Sequence, residues 1–422
     1  MARKMKDSGI EWIGEIPEGW ETINPKALFT QRKDKAQKGE RQLTSSQQYG
    51  ILYQDDYMEL TGSKVVTVEK DFDILKHVEA GDFVISMRSF QGGLEYSTKS
   101  GAISSAYIML VPNLELVYPR FYRWLLKSSV YIDALQRTTN MVRDGQAMRY
   151  SNFAQVRLFT LPLDEQKSRA DFLDLECSSI DKILFKTRSS IEEYKKLKQA
   201  VITQAVTKGV RGEREMKDSG VEWIGEIPKE WDILNLVAHT SMLTPMRDRP
   251  ENLDGPIPWI RIEDFDGKYI SSSKASLGVS KETVRSMNLK IYPVGTILCT
   301  SSCIMGKCAI VSRELVSNQR FIGIIPDQNT CENFLYYLML SNSERMNYLA
   351  TGALQANLSR SSFEHLKVQF PSYQEQKEIS DYLDTKCAEI DKLIAKKEQL
   401  VKELESYKKS LIYEVVTGKR EV

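Results

Sequence analysis

Two stretches of the chain, 161–209 and 370–419, carry apolar residues at alternating steps of three and four, with charged residues between them. In the second, Ile390, Leu393, Leu400, Leu404, Tyr407 and Leu411 follow a heptad pattern interrupted by Lys397. The first reads Ile180, Ile183, Thr187, Ser190, Tyr194, Leu197 and Val201, a weaker version of the same seam. Such spacing predicts long helices that pair through one stripe, as in a coiled coil. No Gly or Pro occurs between Pro162 and Gly209 or between Pro371 and Gly418. Pro162 and Pro371 precede the helices, Asp164 is the expected N-cap of the first, and Ser372 with Glu375 has capping-box spacing. Gly209 and Gly418 are expected stops. At 1.5 Å per residue, about 43 residues give roughly 65 Å of helix.

The two helices are copies. Glu165-Gln166-Lys167 recurs as Glu375-Gln376-Lys377, and Asp171, Leu173, Asp174, Cys177 and Ile180-Asp181-Lys182 recur 210 residues later. A second repeat precedes each half: MKDSGIEWIGEIPEGW at 5–20 and MKDSGVEWIGEIPKEW at 216–231, identical at 13 of 16 positions. A repeat of this length is a domain duplication. Two copies that pack closed on each other tend to a pseudo-twofold arrangement with antiparallel helices. The expected organisation is a first globular domain at 1–160, its helix and linker at 161–215, a second globular domain at 216–369 and its helix at 370–422.

Residues 21–160 and 232–369 share little sequence. In both, short β-branched and aromatic runs punctuated by Gly and Ser predict strands and turns. A helical stretch follows (119–135 and 331–349), then a polar loop containing Gln-Ala. The expected fold is α+β: two tandem domains of one topology with divergent loops, separated by two long helices. Trp12, Trp20, Trp223, Trp231, Trp259 and Tyr269 are expected in the cores. A duplication that keeps one part constant and lets another diverge needs one surface twice and must recognise two different things.

With 41% hydrophobic and 27% charged residues among 422, the chain has the composition of a folded protein. No apolar run is long enough for a membrane span and the N-terminus lacks an apolar h-region, so a cytoplasmic location is expected. The formal net charge is +1 and no block is strongly basic, which argues against non-specific polyanion binding. Cys299, Cys303 and Cys308 cluster without the paired knuckles of a zinc site, so buried thiols and no metal are expected.

The segments DSGIEWIGEIPEGW, GDFVISMRSFQGGL, TQAVTKG, WIRIEDF, GTILCTSSCIMGKCAIV and NQRFIGIIP, in this order along the chain, resemble the specificity subunits of type I restriction–modification systems. The resemblance implies a non-catalytic subunit whose two target-recognition domains each read one half of a bipartite, asymmetric sequence in double-stranded DNA. It implies docking of two adenine methyltransferase subunits on the repeated regions, with restriction subunits of helicase and nuclease activity joining. The residues agree that no catalysis or cofactor is expected: Asn24-Pro25 is followed by Lys26, unlike an adenine methyltransferase loop, and Gly306-Lys307 lacks the rest of an ATP-binding loop.

Base edges are read by Arg and Lys at guanine, Asn and Gln at adenine, and Ser or Thr at either. Candidate readers are therefore Arg88, Ser89, Gln91, Gln146 and Arg149 in the first domain. In the second they are Ser301, Ser302, Lys307, Gln319, Arg320, Gln355 and Asn357. Candidate partner-docking residues are Lys6, Asp7, Lys217 and Asp218 in the repeat and Glu165, Gln166, Lys167, Glu375, Gln376 and Lys377 at the helix bases. The sequence leaves two rivals open, a coiled-coil scaffold that binds two proteins and reads no DNA, and a metal-dependent nuclease built on scattered Asp and Glu.

Overall fold

The structure, a computed structural model, describes residues 3–68, 72–87, 89–138, 148–245, 248–302, 306–350 and 358–422. The chain forms two compact units, residues 1–188 with 399–422, and residues 189–398. Each long helix is thus divided between the units. No described helix is long and apolar enough to cross a membrane.

Both units are built on the same sheet. In the first, strands Phe29–Arg32, Ile108–Pro112, Phe83–Ile85 and Glu95–Tyr96 lie side by side in that order, all antiparallel. In the second, Thr240–Leu243, Phe321–Pro326, Ile297–Thr300 and Cys308–Val311 repeat the order, and Tyr269–Ile270 adds a parallel edge strand. The strands are short, and Phe83–Ile85, Ile297–Thr300 and Cys308–Val311 are buried throughout, as the Gly-punctuated apolar runs predict. Helices then cover the sheet, Pro119–Leu125 and Ser129–Arg137 in one unit and Glu332–Ser341 and Ser343–Leu349 in the other. Each pair was expected as a single helix; the break falls at Ser128 and at Asn342, where polar residues end the apolar run. The α+β class expected from the pattern is the one observed.

The repeated sixteen residues fold alike. Met5–Asp7 pairs with Glu15–Pro17, and Met216–Asp218 with Glu226–Pro228. Asp7 accepts from the amide of Gly9 at 3.0 Å, and Asp218 from that of Gly220 at 2.9 Å. These aspartates shape turns in which both glycines take a positive φ. Trp20 and Trp231 are fully buried, whereas Trp223 is 43% exposed and Trp12 is half-buried. Trp259 is buried, but Tyr269 is 51% exposed because it points outward from an edge strand whose neighbour Ile270 points in.

The long helices run from Leu163 to Lys208 and from Tyr373 to Val416, 46 and 44 residues. Asp164 lies inside the first turn, not at the cap; the amide of Gln166 donates to the carbonyl of Pro162 at 2.9 Å. Ser372 does cap the second, accepting from the amide of Glu375 at 3.3 Å. Gly209 and Gly418 end the helices in the left-handed region, φ 76° and 77°, which costs glycine nothing.

Within each unit the segments of the two helices are antiparallel. In the first, Lys408 grips Asp181 at 2.6 and 2.7 Å and Arg188 meets Glu405 at 2.5 Å. In the second, Lys198 grips Asp391 at 2.8 and 2.6 Å. Asp181 and Asp391 are equivalent in the duplication, as are Lys198 and Lys408, so one pair is made twice.

The seam differs in phase from the expected one. Ile180, Ile390 and Leu411 are buried and Tyr194, Val201 and Leu404 half-buried. Ile183, Leu197, Leu393, Leu400 and Tyr407 instead are 47%, 48%, 41%, 41% and 47% exposed. The neighbours one residue later take their places: Leu184, Lys198, Ile394, Val401 and Lys408 are buried or half-buried. The true steps run 177, 180, 184, 187, 191, 194, 198 and 201, with equivalents from 387 to 411. A stripe that admits Thr187, Lys198 and Lys408 was hidden because more apolar residues stand one position away. The lysines reach the seam by laying their stems along it and ending on Asp391 and Asp181.

Candidate nucleic-acid interface

In the second unit the two central strands end at Thr300 and begin at Phe321, and these residues are register partners. Three segments therefore meet at one end of the sheet. The amide of Ser301 donates to the carbonyl of Arg320 at 2.8 Å, that of Thr300 to Lys307 at 2.9 Å, and that of Leu358 to Ser301 at 2.9 Å. Ser301, Lys307, the turn at 318–320 and Leu358 are thereby tied together. Lys307, Gln319 and Arg320 are exposed, Ser301 is half-buried and Ser302 is 7% exposed. Asn318 braces the turn, its side chain accepting from the Arg320 amide at 3.0 Å. Gly306, at φ 79°, lies so close to Ser343 that a Cβ would stand 2.3 Å from its side chain, so only glycine fits. Gln355 and Asn357 lie outside the described residues.

In the first unit the corresponding strand ends at Ile85 and is followed by a short helix, Ser89–Gly92. Ser89 is 1% exposed, and its hydroxyl accepts from the Ser86 amide at 2.8 Å. It therefore shapes the turn from inside. Gln91 is exposed. The side chain of Gln47, from the turn of the hairpin Leu43–Ser46 and Gly50–Tyr53, lies over Gly92. Arg149 is exposed and precedes helix Tyr150–Gln155; Asn152 accepts from its amide at 2.9 Å and donates to the Thr138 carbonyl at 2.7 Å. Arg88 and Gln146 lie outside the described residues. Two exposed groups went unmarked in the sequence. Gln47 is one; the other is Tyr348, 79% exposed with Arg345 5.0 Å over its ring, on the helix that begins beside Gly306. Their only signal was position relative to loops whose contacts sequence does not reveal.

The repeated residues at the helix bases do a different job. Gln166 is buried; its amide group donates to the carbonyls of Leu116 and Leu161 at 2.8 and 2.9 Å and its oxygen accepts from the Tyr118 amide at 2.7 Å. Gln376 repeats this with Asn329, Pro371 and Cys331 at 3.1, 3.0 and 2.7 Å. The indole of Trp20 donates to Glu165 at 3.1 Å, and that of Trp231 to Glu375 at 3.1 Å. Arg3, Arg169 and, in the second unit, Arg214 complete these clusters on the same carboxylates. Burial would push the Glu165 carboxyl up, but hydrogen bonds from Arg3, Arg169 and Trp20 outweigh it and hold the group at about 2. Asp174 gathers Arg120, Arg123 and Trp124, and its copy Asp384 gathers Lys268 and Tyr337.

Glutamate, glutamine and aspartate thus fasten each domain to its helix. They leave Lys6, Asp7, Asp218, Lys167 and Lys377 as the exposed members of the repeated ground, with Lys217 half-buried. Lys6 donates to the Glu18 carbonyl at 2.7 Å.

A family model described as the type I restriction modification DNA specificity domain matches residues 232–403, the divergent second domain and much of its helix. The MjaIX specificity subunit of Methanocaldococcus jannaschii is 34% identical over 181 residues, a match that spans 41% of each chain. The putative MjaX specificity subunit of the same organism is 24% identical across 96% of this chain and 95% of its own. Among solved structures, a chain from a type I R-M system complex overlies 96% of this chain with a TM-score of 0.72 at 11% identity. The HsdS subunit from Thermoanaerobacter tengcongensis overlies 96% with a TM-score of 0.53 at 13% identity. The second domain thus matches the type I restriction modification DNA specificity domain, and over nearly its whole length the chain is similar to a putative type I restriction enzyme specificity subunit.

Proposed function

We propose that this chain is the non-catalytic DNA-reading subunit of a type I restriction–modification complex, with each target domain reading one half of a bipartite, asymmetric site. The observation that carries this reading is the paired build of the units. One sheet order recurs twice, and at the same end of the same strands the loops carry different side chains. In the second unit Lys307, Gln319 and Arg320 offer exposed donors and acceptors suited to base edges and phosphates. The constant hairpins and helix bases are the ground on which two adenine methyltransferase subunits dock, and restriction subunits join that assembly. A near-neutral chain fits this division, since the methyltransferase subunits then supply much of the phosphate contact. The test is to co-purify the chain with a methyltransferase subunit of a type I system and map the adenines methylated in random-sequence duplex. One bipartite sequence supports the proposal; methylation without sequence preference, or no DNA binding by the complex, favours the scaffold reading.

A further inference from the structure

Cys299 and Cys308 face each other across adjacent antiparallel strands, and they are register partners. The neighbouring pair, Thr300 and Lys307, is hydrogen-bonded through the backbone. Cys299 and Cys308 therefore occupy the non-hydrogen-bonded position, where Cα atoms approach to about 4.5 Å and side chains come closest. That spacing lies within the roughly 4.4–6.8 Å that a disulfide requires. Their sulfurs are 2.7 Å apart, and both thiols are free and buried, at 0% and 5% exposure.

The fold does not demand cysteine here. Aligning the paired strands of the two units puts Ile85 and Leu94 at the equivalent positions, both buried in the first unit's core. An apolar pair fills the same space once, and two thiols fill it the second time. The pair also lies at the ends of the strands Ile297–Thr300 and Cys308–Val311, one residue from Thr300 and Lys307.

We propose that Cys299 and Cys308 form a reversible dithiol–disulfide site that staples these two strands together. The co-reactant is a low-molecular-weight disulfide. The Cys308 thiolate, the less buried of the two, attacks one sulfur of the small disulfide and expels one thiolate. The Cys299 thiolate then attacks the mixed disulfide at the Cys308 sulfur, forming the intrachain bond and expelling the second thiolate. Two protein thiols are oxidised, one disulfide is reduced to two thiols, and the two protons leave with them. Burial pushes the Cys299 thiol up, so exchange requires brief local opening of these two strand ends and quickens as pH rises. The bond does not depend on the DNA-reading proposal; its effect on a reading loop does.

The experiment equilibrates the full chain with glutathione buffers from fully reduced to fully oxidised, denatures it in acid and counts alkylatable thiols. The six thiols of the reduced chain should fall to four at the oxidising end, return on reduction, and map to a peptide link between Cys299 and Cys308. A Cys303→Ser chain, which alters neither partner, should fall from five to three. Cys308→Ala should keep all five. Six persistent thiols at the oxidising end, or a link that runs through Cys303, would overturn the proposal.

Discussion

Glu165 and Glu375 are each buried or half-buried carboxylates that hold an indole and arginine side chains, and their loss should be felt in stability before function. Glu165→Gln leaves Arg169, 1% exposed, without its ionic partner. Breaking such a pair costs about 3 kcal/mol, read as a lowered urea midpoint. The carboxyl is held at about 2, below its unfolded value of about 4.3, so its contribution is complete above that value and fades as pH falls toward 2. The gap between wild type and variant should accordingly narrow from about pH 4.5 downward. A gap that widens on acidification would show that the carboxylate is not the stabilising form. Among the loop residues, Arg320→Ala should weaken recognition at one position of one half-site by about 1–3 kcal/mol without unfolding the chain, measured by methylation rate on single-base variants. Ser89→Ala should act through folding, because its hydroxyl is spent on the Ser86 amide. The sequence marked Glu165, Gln166, Glu375 and Gln376 by their repetition. It did not say which way they face, since repetition is equally strong for a fastener and for a docking surface.

At the scale of elements, the long helices were legible from composition and from the absence of Gly and Pro, and both ends fall within a few residues of the expected ones. The contact stripe was legible only in part. Heptads leave two adjacent apolar frames when Ile183-Leu184 or Leu400-Val401 offers an apolar choice in both, and partner contacts decide between them. The decision is measurable. Leu184→Ala, at a position 5% exposed, should cost about 2–3 kcal/mol, while Ile183→Ala, at 47%, should change stability by about 0.5 kcal/mol or less. Equal effects by thermal or urea unfolding would contradict the observed phase. The strands were readable as runs but not in their pairing: β-branched spacing does not reveal that Ile297–Thr300 lies between Phe321–Pro326 and Cys308–Val311. That pairing is what brings residues 301, 307, 320 and 358 to one place.

For the whole molecule, the duplication was the most readable feature, and it predicts divided labour. Each unit contains one divergent α+β domain and segments of both long helices, so replacing one such domain alters a sheet and its loops while keeping the helix segments of that unit. The central claim is that the two target domains read independently. The most direct measurement replaces residues 232–369 with the corresponding segment of a relative and determines by methylome sequencing the target of the resulting complex. The account predicts that one half of the bipartite sequence changes and the other is retained unaltered. A change in both halves, or in neither, would contradict it.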